Sequence, residues 1–560
     1  MYITEVLTKT KTGKIAHRCI LLRESYREDG RVKNRTIANL THCQPQDIAA
    51  LRLALQHKGD LTDLRALRDA LELRQGPSMG AAWLVYQVAQ RLGIEKALGT
   101  TRAGKLALWQ VMARVIAQGS RLSAVRLAQV HAACDILGLQ KGFHEEHLYK
   151  NLAWLASRQK PIEQQLLHTR RKGSKPALFL YDVTSSYVEG LHHALADWGY
   201  NRDKKSGKKQ VVVGLLCDEA GDPVSIEVFV GKTRDFDTVA SQIAKAVTDF
   251  RCKRILFVGD RGMIKSKQMG QLNDAEFYYL TAITKPQIEK LLKTGVFQIE
   301  WFDSALCEVE HDSIRYILRR NPQRVADIRR TRQEKQAAVA HLCHKKNVYL
   351  ADHPRAKVQT AMHEIEGRMA RLKVAGWLRL EAHGRQFHLQ ADPEALAKEA
   401  KLDGCYVLKS DAPKDIDTHL LHDHYKDLAD VERAFRTCKT AMLEMRPWYV
   451  WSEKSTRGHA LVVMLAYLIT RYLQHVWSEM DLTVEEGLHQ LSMICSMEIV
   501  IPNQSTSHTI PTPDPTVATL LEAAQVRLPK ALPHLGARVV SRKKLPSRRQ
   551  PVEVTSVPSC

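Results

Sequence analysis

Four short apolar stretches, each rich in β-branched residues and bounded by Gly, Asp or Pro, constrain the fold of this chain more than any other feature. They span residues 177–183, 210–217, 224–230 and 254–258. Apolar residues at helical spacing in residues 238–249 place a helix between the last two stretches. Strands in this order, with a helix leading into the fourth, predict a mixed α/β sheet.

The segments before this sheet have other periodicities. Residues 17–40 alternate apolar and polar positions on both sides of Asp29-Gly30, a dipeptide that suits a tight turn, so they predict a small basic β-hairpin. From about residue 46 to residue 165, apolar residues recur three and four apart, which predicts an all-helical region. Its break at Gly119-Ser120 suits an ordinary helical hairpin or, as the alternative, a helix-turn-helix that reads DNA.

After the sheet, residues 284–401 combine strand-like stretches with a highly charged helix, and we interpret them as an insertion. A strand at 405–410 and a helix at about 428–443 follow. The longest apolar run, 460–469, has roughly half the length that a membrane-spanning helix requires, so we expect a buried core helix. The C-terminal basic tail either contacts phosphates or keeps the protein soluble. The predicted domains are a hairpin at 1–45, a helical region at 46–169, a mixed-sheet domain at 170–475 with an insertion at about 285–400, and a helical segment with the basic tail at 476–560.

Charge indicates the kind of partner. Lys and Arg outnumber Asp and Glu by 83 to 61, and the formal charge of +22 favours a polyanion such as nucleic acid, although a merely soluble basic protein has the same balance. The eleven cysteines are scattered without a CxxC pair, which argues against a zinc ribbon or a disulfide framework and fits a reducing cytoplasm. We interpret His341, Cys343 and His344 as ordinary surface residues, because a second pair of metal ligands is missing.

Two aspartates follow apolar strands, Asp182 in FLYDVTSSY and Asp260 in ILFVGDRGM. A carboxylate at the end of a strand is held rigidly at the open edge of a core, where a divalent cation can meet both protein oxygens and a substrate phosphate. Aspartates after strands are also common as turn formers, so either residue alone is weak support for a metal site. The two together, in a basic chain, favour one.

A third acidic residue lies in HYKDLADVERAFRTCKT, which we expect to form one helix. Tyr425, Glu432 and Lys439 are spaced seven residues apart and therefore project from one face, with Arg436 one turn beyond Glu432. Such a face can offer a metal ligand between side chains that hold backbone phosphates. The alternative is a solvated helix with an ordinary ion pair between Glu432 and Arg436.

These residues lie in blocks that resemble the bacterial insertion-sequence transposases of the DDE type, in the IS-four-like subgroup marked by a Y-x2-R-x3-E-x6-K signature. Order and spacing agree over roughly residues 179–469, about half of the chain. Two positions depart from the pattern, because Leu428 replaces the signature Arg and Lys232 replaces the usual Asn after Gly231. The matching blocks are FLYDVTSSYVEG, GYNRDKKSGKKQVVVGL, GDPVSIEVFVGKTRDFDT, ILFVGDRGM, DGCYVL, and the segment from Tyr425 through MRPWYVWSEKSTRGHALVVMLAYLI.

The resemblance implies a DNA transposase of α/β fold, with an RNase H-like mixed-sheet catalytic domain that carries an insertion and follows the β-hairpin and a helical DNA-binding region. Asp182, Asp260 and Glu432 would bind two Mg²⁺ or Mn²⁺ ions for cleavage at terminal inverted repeats and joining of 3′ ends to target DNA. A homodimer would pair two double-stranded DNA ends. The alternatives are a metal-dependent nuclease of the same fold and a catalytically silent DNA-binding regulator. The expected DNA contacts are Tyr425, Arg436, Lys439, Lys208 and Arg261.

Overall fold

The structure is a computed structural model that describes residues 1–9, 15–56, 72–190, 192–303, 305–440, 442–500 and 507–543. The chain divides into two compact units. The smaller comprises Met1–Ser78, Ile494–Pro513 and Leu528–His534, and the larger comprises Met79–Met493, Asp514–Arg527 and the segment from Leu535.

The secondary structure elements are numbered in chain order. The strands are β1 (Tyr2–Lys9), β2 (Ile15–Glu28), β3 (Arg31–Asn39), β4 (Glu72–Ser78), β5 (Leu178–Tyr187), β6 (Gln210–Cys217), β7 (Pro223–Phe229), β8 (Leu256–Gly259), β9 (Tyr278–Ala282), β10 (Cys307–His311), β11 (Ile314–Arg320), β12 (Leu378–His383), β13 (Gln386–Ala391), β14 (Cys405–Ser410), β15 (Cys495–Val500) and β16 (Ser507–Thr509). The helices are α1 (Pro45–Gln56), α2 (Gly80–Arg91), α3 (Ile94–Leu98), α4 (Arg102–Ile116), α5 (Arg121–Val130), α6 (Ala133–Leu137), α7 (Glu145–Arg170), α8 (Asp235–Thr248), α9 (Ser266–Asp274), α10 (Lys285–Lys293), α11 (Pro322–Asp352), α12 (Val358–Leu372), α13 (Pro393–Ala400), α14 (Thr418–Lys426), α15 (Leu428–Lys439), α16 (Glu453–Val476), α17 (Val484–Ser492) and α18 (Pro515–Ala523), with a 3-10 turn at Ile299–Asp303.

The smaller unit contains two antiparallel sheets. In the first, β1, β2 and β3 pair in that order, and β2 turns into β3 at Asp29 and Gly30, both of which have positive φ as a two-residue hairpin turn requires. In the second, β15 lies between β16 and β4. Strand β4 lies within the segment predicted as all-helical, because it pairs with β15 from the far end of the chain and local periodicity does not report such pairing. Residues 57–71 of that segment lie outside the described residues.

The larger unit is built around the mixed sheet that the apolar stretches predicted, and this prediction is confirmed. Its eight strands have the order β10-β11-β14-β9-β8-β5-β6-β7. β5, β6 and β7 are antiparallel neighbours, whereas β8 and β9 run parallel to β5. On the other side of β9, strands β14, β11 and β10 add antiparallel pairs.

The centre of this sheet is buried on both faces. Every residue of β6 is buried, and α8 and α9 cover a core that includes Phe179, Tyr181, Ile243 and Phe257. Strands buried on both faces have nearly continuous apolar sequences, which is why the four stretches are conspicuous. Each such side chain contributes about 1.5–3 kcal/mol relative to exposure.

The range predicted as an insertion, about 285–400, holds two different parts. Strands β10 and β11 extend the large sheet, and β11 pairs with β14 from Arg315↔Ser410 to Arg320↔Cys405. Helices α11, α12 and α13 and the β12-β13 hairpin instead share a core of their own. Cys343, predicted as a surface residue, is buried in that core, because α12 packs on this side of α11.

Two long helices, α7 and α16, pack against each other in the larger unit. The apolar run of α16 is buried, as predicted. A Cβ at Gly458 would lie 2.0 Å from the carbonyl oxygen of Leu152, so glycine permits the close approach of these helices. Among the described residues, no helix has the length and apolar character needed to cross a bilayer.

Candidate active site

Asp182 and Asp260 are neighbours because of the register of two parallel strands. β5 and β8 pair up to Tyr181 and Gly259, so the residues that follow leave the same end of this strand pair. Adjacent strands are about 4.8 Å apart, which places the two aspartates side by side. β5 itself continues to Tyr187, because its polar TSSY segment still pairs with β6. Asp182 therefore lies within its strand, and not at the strand end that the sequence predicted.

Glu432 comes from α15, which packs on β5, β6 and α16. The helix buries Val431, Phe435 and other apolar residues and leaves Glu432 exposed. The sequence predicted one helix from Tyr425 to Lys439, but the structure has two, because the chain turns between α14 and α15. Tyr425 belongs to α14, yet it still reaches the same cavity as Glu432.

The three carboxylates line a single cavity of about 770 Å³, which we call the acidic cavity. It is therefore formed by a central strand, the loop after its parallel neighbour and two helices from much later in the chain. Three of the expected DNA contacts also line it, namely Tyr425, Arg436 and Lys439. The other lining residues are Val183, Thr184, Arg202, Asp235, Met263, Asn321, Tyr406, His422, Lys426, Leu428, Ala429 and Phe435.

The environment of Asp182 disfavours its negative charge. The pKa of Asp182 is raised to about 7, mainly by burial and also by the charges of Asp260 and Glu432, whereas the Val183 backbone N–H and the Arg202 guanidinium act in the opposite direction. A carboxylate whose charge is poorly compensated by the protein gains from a cation in the same cavity.

Asp260 is oriented by two donors. The Tyr425 hydroxyl donates to its Oδ1 at 3.3 Å, and the backbone N–H of Arg261 donates to the same oxygen at 2.7 Å. Burial and the charge of Asp260 raise the pKa of Tyr425 above its ordinary value, so the phenol keeps the proton that it donates. Tyr425, which the sequence suggested as a DNA contact, is thus hydrogen-bonded to the Asp260 carboxylate in this structure.

Lys439 is held inside the protein. Its ammonium donates to Thr184 Oγ1 at 2.7 Å, to Asp203 Oδ1 at 3.0 Å and to the carbonyl oxygen of Ser185, and its side chain is 10% exposed. An ammonium has three protons to donate, and these partners account for all of them. Burial lowers the pKa of Lys439, and the charge of Asp203 opposes that shift. Lys439 therefore links α15 to β5. These protein contacts compete with the phosphate contact that the sequence suggested for its ammonium.

Arg436 is the cation best placed for a substrate phosphate. It is exposed on the cavity wall and forms no ion pair within the described parts of the chain. Lys426, which also lines the cavity, has its ammonium 3.2 Å from Asp423. Leu428, at the position of the signature Arg, is buried and contributes only packing.

Lys208 and Arg261 lie outside the lining of the acidic cavity. Lys208 pairs with Glu189 at 2.6 Å on the surface. Arg261 is exposed directly after Asp260. Lys232, at the other position that departs from the family pattern, pairs with Asp197 at 3.1 Å.

Sequence reasoning missed several polar residues of this site. Asp203 is a buried counter-ion of both Lys439 and Arg446, with a side chain only 2% exposed. Arg202 pairs with Asp235 at 2.6 Å on the cavity wall. Both Arg202 and Asp203 lie in the block GYNRDKK, whose match to the family was the available indication of a role.

The donor set suits divalent cations, because carboxylate oxygens are the ligands that Mg²⁺ and Mn²⁺ prefer. Across the described residues, however, no group of three or more His, Cys, Asp or Glu side chains is placed so that it could hold a metal ion. Mg²⁺ is commonly bound by one or two carboxylates together with water and substrate phosphate. The adjacent Asp182 and Asp260 fit that mode, with Glu432 facing the same cavity.

Two family models match the chain. The IS1634 family transposase, N-terminal domain, matches residues 5–65, and the transposase DDE domain matches residues 173–469, more than half of the chain. The chain belongs to the DDE transposases. It is therefore a DNA transposase, a class that cleaves DNA and transfers its strands. The family resemblance is confirmed at this level, and membership of the Y-x2-R-x3-E-x6-K subgroup stays a prediction.

A comparison with curated proteins found no match to this transposase. Among solved structures, the cryo-EM structure of the piggyBac transposase synaptic complex with hairpin DNA is similar over 69% of this chain and 70% of that chain, with 10% sequence identity and a TM-score of 0.33. A similarity at that level carries no argument about fold or function.

Proposed function

We propose that this transposase cleaves DNA at the terminal inverted repeats of an insertion sequence and joins the 3′ ends to target DNA, with Asp182, Asp260 and Glu432 as its catalytic residues. The observation that carries the proposal is the convergence of these carboxylates, from three separate segments, on one cavity. A protein with a formal charge of +22 attracts the polyanion on which such a cavity would act.

The catalytic core is proposed to be RNase H-like. The supporting feature is the subset β7-β6-β5-β8-β9, in which three antiparallel strands continue into two strands parallel to the first. In that arrangement Asp182 lies on the central strand β5 and Asp260 directly after its parallel neighbour β8.

Asp182, Asp260 and Glu432 would hold two Mg²⁺ or Mn²⁺ ions. Such ions, when bound, activate the attacking oxygen and stabilise the leaving oxygen of an in-line displacement at phosphorus. The raised pKa of Asp182 supports the assignment, because a cation relieves the poorly compensated charge there.

Other residues of the chain orient this machinery. Tyr425 holds Asp260 through its hydroxyl. Arg436, exposed on the cavity wall, would bind a phosphate next to the cleaved bond. Lys439 and Asp203 fix the helix that carries Glu432 against β5. We place end recognition in the N-terminal hairpin and helical region, and we propose a homodimer as the form that pairs two DNA ends in the bacterial nucleoid.

The test uses full-length protein and DNA carrying the element's terminal repeats. Asp182→Asn, Asp260→Asn and Glu432→Gln should each retain DNA binding in a mobility-shift assay but lose strand cleavage in Mg²⁺. Asp274→Asn, which removes an exposed carboxylate at the end of α9, is the matched control and should cleave normally. Pre-cleaved ends and a target plasmid then test joining separately from cleavage. Cleavage by all three active-site variants would refute the assignment.

A further inference from the structure

A further cavity lies in the larger unit, lined by residues other than those of the acidic cavity. Its volume is about 150 Å³, similar to an engineered cavity that holds a benzene molecule. We call it the arginine pocket. It is lined by Arg114, Gly119, Ser120, Arg121, Tyr149, Glu444, Pro447, Tyr449, Val450 and His459.

Two arginines of this pocket are buried, and one has no counter-ion in the described parts of the chain. Arg114 and Arg121 are each 5% exposed. Arg114 donates to the carbonyl oxygens of Gly119 and Leu443 and lies 3.7 Å from Glu444. Arg121 forms no ion pair with any described residue, and its buried Nε has no hydrogen-bond partner. Charged groups are rarely buried in this way, because desolvation without a partner is costly.

Within the described part of the chain, the Arg121 side chain forms its hydrogen bond with a neutral group. Its guanidinium donates to His459 Nδ1 at 2.7 Å. Burial, together with the charges of Arg121 and Arg114, lowers the pKa of His459 well below its ordinary value, so the imidazole is neutral and accepts this bond. Burial also lowers the pKa of Arg121 to about 9, and the guanidinium still carries its charge at neutral pH. The positive charge is therefore left uncompensated.

The backbone adds to the positive character of the pocket. Arg121 is the first residue of α5, and Ser120 caps that helix by accepting a hydrogen bond from the Ser123 backbone N–H at 3.2 Å. The N-terminus of a helix carries partial positive charge and free N–H groups, which together favour anions. Glu444 is the acidic lining residue, but its side chain is 43% exposed and pairs with Arg114.

Two exposed aromatic side chains line the pocket. Tyr449 is 73% exposed, and Tyr149, on α7, is 38% exposed. Exposed rings beside a cationic pocket are typical of surfaces on which unpaired bases stack while the backbone phosphate is held by arginine.

We propose that the arginine pocket binds a backbone phosphate of a DNA strand whose adjacent base is unpaired and stacks on Tyr449. Arg121 would supply the charge, with the first turn of α5 completing the anion site. The proposal rests on the family assignment as a DNA transposase and not on the proposed catalytic residues. It can therefore fail or hold independently of the acidic cavity.

The experiment measures binding of the full-length protein, in EDTA, to a short single-stranded oligonucleotide and to its blunt duplex. Arg121→Gln should weaken single-strand binding about tenfold or more, because a charge-assisted contact is lost, and should lower the slope of log K against log salt by about 0.7. Arg158→Gln removes the same charge from an exposed position on α7 and is the matched control. Inorganic phosphate should compete with the oligonucleotide for wild-type protein but not for Arg121→Gln.

Tyr449 provides a variant that does not disturb a buried charge. Tyr449→Ala should weaken single-strand binding by about fivefold to a hundredfold, Tyr449→Phe should restore it, and duplex binding should change little. This test stands even if Arg121→Gln fails to fold. Unchanged single-strand affinity in Tyr449→Ala refutes base stacking there. Phosphate binding that depends on Arg121 while oligonucleotide binding does not would identify a pocket for small anions and overturn the assignment to DNA.

Discussion

Removing the charge of Asp182 should stabilise the metal-free protein above neutral pH. Its pKa rises from 3.8 to about 7 in the folded state, mainly through burial. The folded protein therefore keeps a proton between about pH 4 and pH 7 that the unfolded chain has lost, so this residue reduces stability as pH rises through that window. A difference of about 3 pKa units corresponds to roughly 4 kcal/mol at most, and the full cost is present above about pH 7.

The assay is denaturant unfolding in EDTA, followed by tryptophan fluorescence. Asp182→Asn should have a higher free energy of unfolding than wild type at about pH 8, and the difference should decline towards about pH 4, where both forms are neutral. The exposed Asp274→Asn serves as control and should show no such pH-dependent gain. A variant that is less stable than wild type at the higher pH, or a gain that does not change with pH, would show that the desolvation of Asp182 is not the dominant effect.

Three further perturbations test the supporting structure. Asp203→Asn leaves the buried ammonium of Lys439 without its counter-ion and should lower the free energy of unfolding by about 3–5 kcal/mol. Adding Lys439→Met should partly reverse this loss in the same denaturation assay. Arg436→Ala should leave stability within about 0.5 kcal/mol of wild type but lower the salt slope of duplex DNA binding by about 0.9, and an unchanged slope would place the phosphate contact elsewhere. Gly458→Ala forces a Cβ against a neighbouring helix and should lower the free energy of unfolding by about 1–3 kcal/mol. In Gly367→Ala the new Cβ would meet nothing within 4 Å, so this control should raise the free energy of unfolding by about 0.5–1 kcal/mol. Equal effects of the two changes in calorimetry would contradict the packing argument.

Much of the catalytic region could be read from local patterns. The apolar stretches that became β5, β6, β7 and β8 were visible because burial on both faces leaves few polar positions in a strand. Asp182 and Asp260 stood out as acidic residues in or next to such strands, and Glu432 was selected in its helix by the seven-residue spacing to Tyr425 and Lys439.

Strand pairing between distant segments could not be read in this way. Strand β4 is flanked by sequence with helical character and pairs with β15, more than 400 residues later by the 78↔495 register. Strands β10 and β11 were assigned to an insertion, although they extend the large sheet through β14. Periodicity reports which residues face a core, but it carries no information about which strand lies alongside.

The sequence by itself determined that this protein has a mixed α/β unit and belongs to the DDE transposases, because both are encoded in local composition and in ordered blocks. Only the tertiary structure decided what the cations do. Lys439 donates to Thr184, Ser185 and Asp203, Arg436 is left exposed, and Arg121 is buried with no counter-ion among the residues that the structure describes. The sequence shows which residues are charged. The role of each charge depends on the distance to its partners and on how far the fold excludes water from it.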